Sequence, residues 1–161
     1  MNLQEIAKEA GLTSSSTMEY LSGLIKAKYV SVPKEQYYEI TNLGKQAIGL
    51  PKVDKKLASN ILSPLSIERA FHFYYGLNQH SGVYADSLKD FVDKIQNIDL
   101  KCIEFHVPRK DFELWIRSLG DLELSKKLEL LRMRHLSGEN LRKEVYETVN
   151  SRYEELTKLT V

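Results

Sequence analysis

The sequence predicts a mainly α protein in two parts, a small N-terminal unit of helix, tight turn, helix, hairpin and helix, followed by a longer helical domain. Three observations predict this class. Apolar residues recur at three- and four-residue spacing through most of the chain, which is typical of amphipathic helices. Two short runs rich in tyrosine and valine, separated by a proline-containing turn, indicate a hairpin over 29–40. The apolar pattern also changes near residue 50, and 161 residues are enough for two small domains.

The composition is that of a folded globular protein. The chain is 42% hydrophobic and 28% charged, with 8 Gly and 4 Pro, which excludes collagen, low-complexity and wholly disordered proteins. No apolar run approaches the roughly 18 residues that cross a bilayer, and no signal peptide is visible. We therefore expect a cytoplasmic protein that does not bind membranes. The single cysteine, Cys102, excludes an internal disulfide framework and an all-cysteine zinc site within one chain.

The first helix is predicted from Leu3 to Ala10, where Leu3, Ile6 and Ala7 share one face. Gly11 follows as a glycine suited to ending a helix. The five hydroxyl residues 13–17 are well suited to cap a second helix, predicted over 14–27. The apolar stripe of this second helix consists of Met18, Leu21, Leu24 and Ile25.

A hairpin and a short helix complete the N-terminal unit. Residues 29–32 are predicted as a strand, 33–36 as a turn and 37–40 as the partner strand. The segment 41–44 then begins another short helix. The unit is therefore predicted to end near residue 50.

The remaining chain is predicted as a linker and a helical domain. Residues 51–60 are polar and rich in lysine, which indicates a linker, although Val53 and Leu57 could continue a helix through it. Residues 61–161 form the helical domain, with helices beginning near Asp86, Asp111, Asp121 and Gly138. Two segments break this pattern: 70–75 is aromatic enough to be extended, and 101–106 is predicted as a short strand or a loop.

The N-terminal pattern matches the requirements of a helix-turn-helix. Such a unit needs a small residue where the helices cross, a glycine in the turn and apolar residues that lock the pair. Ala7, Gly11 and Leu12, with Leu21 and Leu24, meet these requirements. The segments 5–13, Tyr20-Leu21-x-x-Leu24 and Tyr37-x-x-Ile40-Thr41-x-x-Gly44 resemble the winged helix-turn-helix family of archaeal and bacterial transcription regulators. The predicted fold is thus a winged helix-turn-helix with a two-stranded wing, joined to a helical domain.

This resemblance implies that double-stranded DNA is the partner and that the protein regulates transcription. In that family the second helix enters the major groove and the wing lies along the backbone or minor groove. Hydroxyls and free backbone N–H groups at a helix start can hold phosphate oxygens. Contacts with DNA are expected from Thr13, Ser14, Ser15, Ser16, Thr17, Tyr20, Lys26 and Lys34.

The charge balance favours an alternative, in which the same unit is an adaptor that binds protein. The chain has 23 basic and 22 acidic residues, and residues 1–50 contain five of each. Proteins held on DNA chiefly through phosphate contacts are strongly basic. In the alternative, the serines only cap a helix and the unit never contacts bases.

A homodimer is expected because the resemblance is incomplete at its start. The family has a further helix before the one predicted from Leu3, so Leu3 and Ile6 need cover from elsewhere. The final helix is long enough to pair with a second chain, which would place two recognition helices on one duplex. The face expected to pair consists of Leu141, Val145, Val149 and Leu156.

The C-terminal half resembles a second family, which has no known activity. Phe71-His72-Phe73-Tyr74, Ile103-Glu104-Phe105-His106 and Asp111-Phe112-x-x-Trp115-Ile116 occur in an order that is similar to a largely archaeal domain family of unknown function. The similarity covers most of residues 62–130. It implies no reaction, so the residues have to be interpreted by themselves.

Five polar and aromatic residues of this half are expected to converge: His72, His106, Arg109, Asp111 and Trp115. Histidine and aspartate can form an acid–base pair, and two histidines can bind a metal. The spacing completes no metal or catalytic motif, however, and no nucleotide-binding or hydrolase motif is present. The alternative is a buried histidine bonded to backbone, with Asp111 capping a helix and Arg109 as its ion partner. We therefore expect neither an enzyme nor a cofactor or metal.

Overall fold

A computed structural model describes every residue from Met1 to Val161. The chain divides into two compact units, Met1–Lys52 and Val53–Val161, called here the N-terminal and C-terminal units. Nine helices and two separate two-stranded antiparallel sheets make up the fold, which confirms the mainly α prediction. None of the helices combines the length and the apolarity needed to span a membrane.

The N-terminal unit has the predicted order of helix, helix, hairpin and helix. Its strands pair antiparallel, with Val30 opposite Ile40 and Lys34 opposite Tyr37. The elements are α1 (Leu3–Ala10), α2 (Ser14–Lys26), β1 (Val30–Lys34), β2 (Tyr37–Ile40) and α3 (Asn42–Ala47).

Short-range hydrogen bonds define the ends of α1 and α2. Asn2 and Glu5 form a reciprocal capping box at the start of α1. Gly11 ends that helix with φ 65°, which a glycine adopts at no steric cost, and the Leu12 N–H returns to the Ala7 carbonyl at 2.9 Å. The Thr13 hydroxyl then accepts the Ser16 N–H at 3.2 Å and begins α2. The predicted turn chemistry is therefore present.

A close approach at Gly44 joins α3 to the start of the hairpin. Thr41 caps α3 by accepting the Gly44 N–H at 3.0 Å, and its own hydroxyl donates to the Lys28 carbonyl at 2.7 Å. A Cβ atom at Gly44 would lie 2.2 Å from the Tyr29 carbonyl oxygen. Only glycine allows the helix to lie this close to the strand.

The N-terminal unit buries very little of its apolar surface. Its fully buried residues are Ala7, Thr17, Leu21 and Gly44. Leu3 and Ile6 are half-buried, and Leu21 is the only member of the predicted α2 stripe that is buried. The large apolar side chains left exposed are Met1, Leu12, Met18, Tyr20, Leu24, Ile25, Val32, Ile40, Leu43 and Ile48.

The C-terminal unit contains six helices together with a hairpin. Its strands pair antiparallel, with Phe71 opposite Ala85 and Gly76 opposite Gln79, so the predicted extended segment is one arm of this hairpin. The elements are α4 (Lys55–Leu62), β3 (Phe71–Gly76), β4 (Gln79–Ala85), α5 (Leu88–Asn97), α6 (Leu100–His106), α7 (Asp111–Ser118), α8 (Leu122–Arg132) and α9 (Gly138–Thr160).

Two segments of this unit differ from their predicted structure. Most of the predicted linker 51–60 belongs to α4, which buries Ala58 and Ile61 against α9. Residues 101–106, predicted as strand or loop, lie in α6, because Asp99 caps that helix and Cys102 and Ile103 face the core. A short apolar run does not distinguish a strand from a buried helix, so only the tertiary packing decides between them.

Helix α9 lies in the core of its own unit, in contact with α4, α5, α6 and α8. Its apolar residues Leu141, Val145, Val149 and Leu156 are at most 3% exposed. The prediction that this face pairs with a second chain is therefore wrong, because the face is already covered. The aromatic side chains of Phe71, Phe73, Phe91, Phe112 and Trp115 form a second part of the same core.

A buried ion network connects α8 and α9. Arg152, 3% exposed, donates to both carboxylate oxygens of Asp121 at 2.9 and 3.1 Å and lies 3.1 Å from Glu123. Burial by itself would lower the pKa of this guanidinium, but the hydrogen bond to Asp121 and the nearby carboxylates outweigh burial and raise the pKa. Asp121 also caps α8 by accepting the Leu124 N–H.

Candidate functional site

Helix α2 exposes four of the eight residues predicted to contact DNA. Ser14, Ser15, Tyr20 and Lys26 are exposed, and Tyr20 is 65% exposed. Glu19 of the same helix is also exposed. Positions three and four apart lie on one side of a helix, so residues 15, 19 and 26 form one stripe along α2.

The hydroxyl residues 13–17 have different roles at the start of α2. Thr13 is the cap residue, and its hydroxyl also lies 3.0 Å from the Ser16 hydroxyl. Thr17 is 2% exposed, and its hydroxyl donates to the Thr13 carbonyl at 2.8 Å. The prediction that Thr17 contacts DNA is therefore wrong, because its only polar side-chain group is inside the unit.

The hairpin β1–β2 places a basic residue at its tip. Lys34, exposed, has its Nζ 4.6 Å from the centre of the Tyr37 ring, a cation–π distance. At the other side of the hairpin, Met1 exchanges two backbone hydrogen bonds with Tyr38, with N···O distances of 3.1 and 2.8 Å. The chain before α1 therefore lies along β2.

In the C-terminal unit, His106 is the centre of a buried hydrogen-bond network. Its Nε2 accepts the backbone N–H of Tyr74 in β3 at 2.8 Å, and its Nδ1 donates to Asp111 Oδ2 at 2.8 Å. The neutral ring therefore carries its proton on Nδ1. Burial lowers the pKa of His106 below its ordinary value of 6.5, although the contact with Asp111 opposes this effect.

Arg109 completes the network from the solvent side. Its Nε donates to the same Asp111 oxygen at 3.1 Å, and its guanidinium lies 4.8 Å from the centre of the Phe105 ring. The terminal nitrogens of Arg109 contact no protein acceptor, and Asp111 Oδ1 has no protein donor. Lys110, with φ 67°, is the cap residue of α7, so Asp111 is not the cap that the sequence indicated.

His72 and Trp115, the other two residues of the predicted cluster, have different partners. The Trp115 Nε1 donates to the Arg69 carbonyl at 2.9 Å, and the ring packs among the core aromatics. His72 donates from Nε2 to the Ile67 carbonyl at 2.8 Å, and its Nδ1 lies 3.2 Å from Nε2 of His80. Only His106, Arg109 and Asp111 are linked to one another.

A surface depression of about 390 Å³ lies beside this network. Its volume is in the range of small-molecule pockets. Sequence reasoning missed the main-chain contact of Tyr74 and the walls contributed by Leu77 and Phe105, because turn and helix residues give no periodic signal for a shared pocket. The lining residues are Phe71, His72, Tyr74, Gly76, Leu77, Asn78, Phe105, His106, Arg109 and Asp111.

The polar groups of this network that are still available to a ligand belong to Arg109 and Asp111. Both nitrogens of His106 are occupied by protein partners, so the ring has no free position for a substrate. No three His, Cys, Asp or Glu side chains are placed to hold a metal ion. Cys102 is fully buried and burial raises the pKa of its thiol, which disfavours the reactive thiolate.

Comparison with known proteins finds no match among protein-family models, curated proteins or solved structures. Both family resemblances based on the sequence therefore stay predictions.

Proposed function

We propose that the protein binds double-stranded DNA and regulates transcription, with α2 in the major groove and the β1–β2 hairpin along the backbone. The observation that carries this proposal is the stripe of Ser15, Glu19 and Lys26, which is exposed and forms no hydrogen bond or ion pair within the chain. The eleven residue-to-residue steps from Ser15 to Lys26 span about 17 Å, enough to follow the floor of the groove.

The residues of this stripe suit base edges and phosphates. Serine hydroxyls bind bases or phosphate oxygens, lysine binds the acceptors of guanine, and a glutamate accepts from the amino group of cytosine. Lys34 at the hairpin tip is positioned to contact a phosphate oxygen. The order of α1, α2, hairpin and α3, with the chain at Met1 lying along β2, agrees with the winged helix-turn-helix resemblance.

The test is duplex binding by fluorescence anisotropy, using random-sequence and genomic duplexes. Replacing Ser15 and Ser16 with glutamate puts two negative charges toward the phosphates and should abolish binding. The matched control is the double variant Gln4→Glu, Gln46→Glu, which adds the same charge to the exposed surfaces of α1 and α3 and should bind as wild type does. Wild-type binding by the serine variant would exclude α2 as the recognition helix.

Salt dependence tests the number of phosphate contacts. With about two to four basic residues of each chain near the duplex, the slope of log affinity against log salt concentration is shallow, roughly −0.9 per phosphate. Lys34→Gln should make the slope less steep by about one contact. A slope that implies eight or more contacts from one chain would contradict the proposal.

The proposal includes a homodimer that forms through the uncovered apolar surface of the N-terminal unit. Apolar patches of this kind need a partner, and two modules on one duplex would compensate for the weak charge of each. Leu43→Glu and Ile48→Glu change exposed side chains, so they should leave the fold intact and reduce the light-scattering mass from two chains to one. A wild-type mass of one chain, 18.6 kDa, at micromolar concentration would exclude the dimer.

A protein-binding adaptor is the second candidate, and the same exposed apolar surface favours it. The N-terminal unit has six lysines against five glutamates, a weak balance for DNA binding. Absence of duplex binding even at low salt, where phosphate contacts are strongest, would favour the adaptor. Neither candidate includes a catalytic step, and a cytoplasmic location follows from the DNA-binding proposal.

A further inference from the structure

We infer that the depression beside His106 binds a small zwitterion, an α-amino acid with a large apolar side chain. The inference concerns the C-terminal unit alone and goes beyond DNA binding. It rests on two unsatisfied groups of opposite charge at the edge of an apolar pocket.

The cationic half of the site is the free edge of Arg109. Its Nε donates to Asp111 Oδ2 at 3.1 Å, and its guanidinium carbon lies 4.8 Å from the centre of the Phe105 ring, so the guanidinium has contacts on two sides. The two terminal nitrogens remain without acceptors, and a guanidinium edge of this kind binds a carboxylate through two parallel hydrogen bonds.

The anionic half is the second oxygen of Asp111. Oδ2 accepts from both His106 and Arg109, while Oδ1 accepts from no protein group. The buried contact with His106 holds this carboxylate in place, 27% of the Asp111 side chain being exposed. A ligand ammonium group is a suitable donor for Oδ1.

The free edge of Arg109 and the free oxygen of Asp111 belong to one ion pair. Their opposite charges determine which kind of ligand can bind. An anion alone would be attracted by Arg109 and repelled by Asp111, and a cation alone would experience the reverse. A molecule that carries an ammonium and a carboxylate on one carbon atom can offer a partner to both groups, and an α-amino acid has that arrangement. A ligand with only a carboxylate or only an ammonium would leave one of the two protein groups without a partner, and this costs binding free energy.

The rest of the pocket suits an apolar side chain on the ligand. Phe71 and Leu77 line it together with Phe105, and the volume of about 390 Å³ exceeds what the two polar groups occupy. Leu77 is 70% exposed, so a ligand that covers it removes apolar surface from water. Glycine or alanine would leave this surface uncovered.

The test is to titrate small molecules into the full chain, without DNA, and to monitor the NMR signals of its backbone amides. Four probes separate the contributions: L-phenylalanine, glycine, 3-phenylpropanoate without the ammonium, and 2-phenylethylammonium without the carboxylate. At about 5 mM, a site with a Kd near 1 mM is mostly filled. L-phenylalanine should shift the amides of residues 74–78 and 105–111, and each other probe should bind at least about tenfold more weakly.

Variants connect the binding to the two groups. Arg109→Gln leaves Asp111 and His106 in place and should weaken L-phenylalanine binding about tenfold, while Lys110→Gln, an exposed neighbour outside the pocket, removes the same charge and should have no effect. The inference is overturned if L-phenylalanine causes no shifts, if 3-phenylpropanoate or 2-phenylethylammonium binds as tightly, or if Arg109→Gln binds as wild type does.

Discussion

The two units of this protein are stabilised in different ways. The C-terminal unit has one continuous core that extends from α4 to α9, with a buried ion network beside it. The N-terminal unit, about a third of the chain, buries only four residues and contains half of the large apolar side chains that the whole chain leaves exposed. Its stability must therefore depend on caps, turns and backbone contacts more than on a core.

This difference indicates which unit interacts with other macromolecules. In the C-terminal unit the core covers most apolar faces of the helices, including the face of α9 that contains Leu141, Val145, Val149 and Leu156. In the N-terminal unit, polar and apolar groups of α2 remain unpaired at the surface. A macromolecular partner is therefore expected on the N-terminal unit and a small ligand on the C-terminal one.

The largest expected effect is loss of a core aromatic from the C-terminal unit. Phe73 is fully buried and contacts Phe71 and Phe91, so Phe73→Ala should lower the free energy of unfolding by about 3–5 kcal/mol. Denaturant unfolding followed by fluorescence measures this, because the single tryptophan lies in that unit. Leu77→Ala, at an exposed position on the same hairpin, should change it by less than about 0.5 kcal/mol. Equal losses from both variants would contradict the described core.

Breaking the buried ion network should have the next largest effect. Arg152→Met leaves the Asp121 carboxylate in the interior without its cation and removes one of the cations beside Glu123, so it should cost about 3 kcal/mol. Lys143→Met removes an exposed ion pair with Glu147 on the same helix and should cost at most about 1 kcal/mol. The same fluorescence-detected unfolding compares them. A loss for Arg152→Met as small as that for the control would show that the network does not stabilise α9.

A pair of glycines tests how the N-terminal unit is held together. Gly44→Ala places a Cβ within 2.2 Å of the Tyr29 carbonyl and should destabilise the unit by about 1–3 kcal/mol. Gly23→Ala, in the interior of α2 with open space around it, should instead stabilise the unit by about 0.5–1 kcal/mol. Hydrogen exchange of the α1–α3 amides measures both variants, while tryptophan fluorescence should remain unchanged. Destabilisation by Gly23→Ala would contradict the open space described around Gly23 in α2.

The smallest effect expected is a pH dependence specific to the C-terminal unit. Burial lowers the pKa of His106 in the folded state, so the unfolded state binds a proton first as the pH falls below 6.5. Stability contributed by the neutral ring is complete above that pH and is lost between 6.5 and the lower folded pKa, with a slope of at most about 1.4 kcal/mol per pH unit. Unfolding curves of wild type and His106→Gln at pH 7.5 and 5.5 measure it. An equal pH dependence in both would show that His106 is not responsible.

Much of the local structure could be predicted from single residues in the sequence. Gly11 ends α1 in the left-handed conformation, and α5 and α8 begin next to Asp86 and Asp121, all as the sequence indicated. These signals are local, because a cap or a turn involves residues at most four positions apart. The candidate pocket was only partly predictable: three of the five expected residues are linked, whereas the walls from the hairpin turn and α6 were missed.

The sequence by itself determined the positions of most helices, the N-terminal order of elements and four polar residues of the pocket, His72, His106, Arg109 and Asp111. Tertiary structure alone decided that α4 belongs to the C-terminal unit, that 101–106 is helical and that Thr17 faces inward. It also decided that α9 lies in a core and not between two chains. The physical reason is that apolar periodicity identifies a face that must be covered but not what covers it, since burial has no direction and depends on residues distant in sequence.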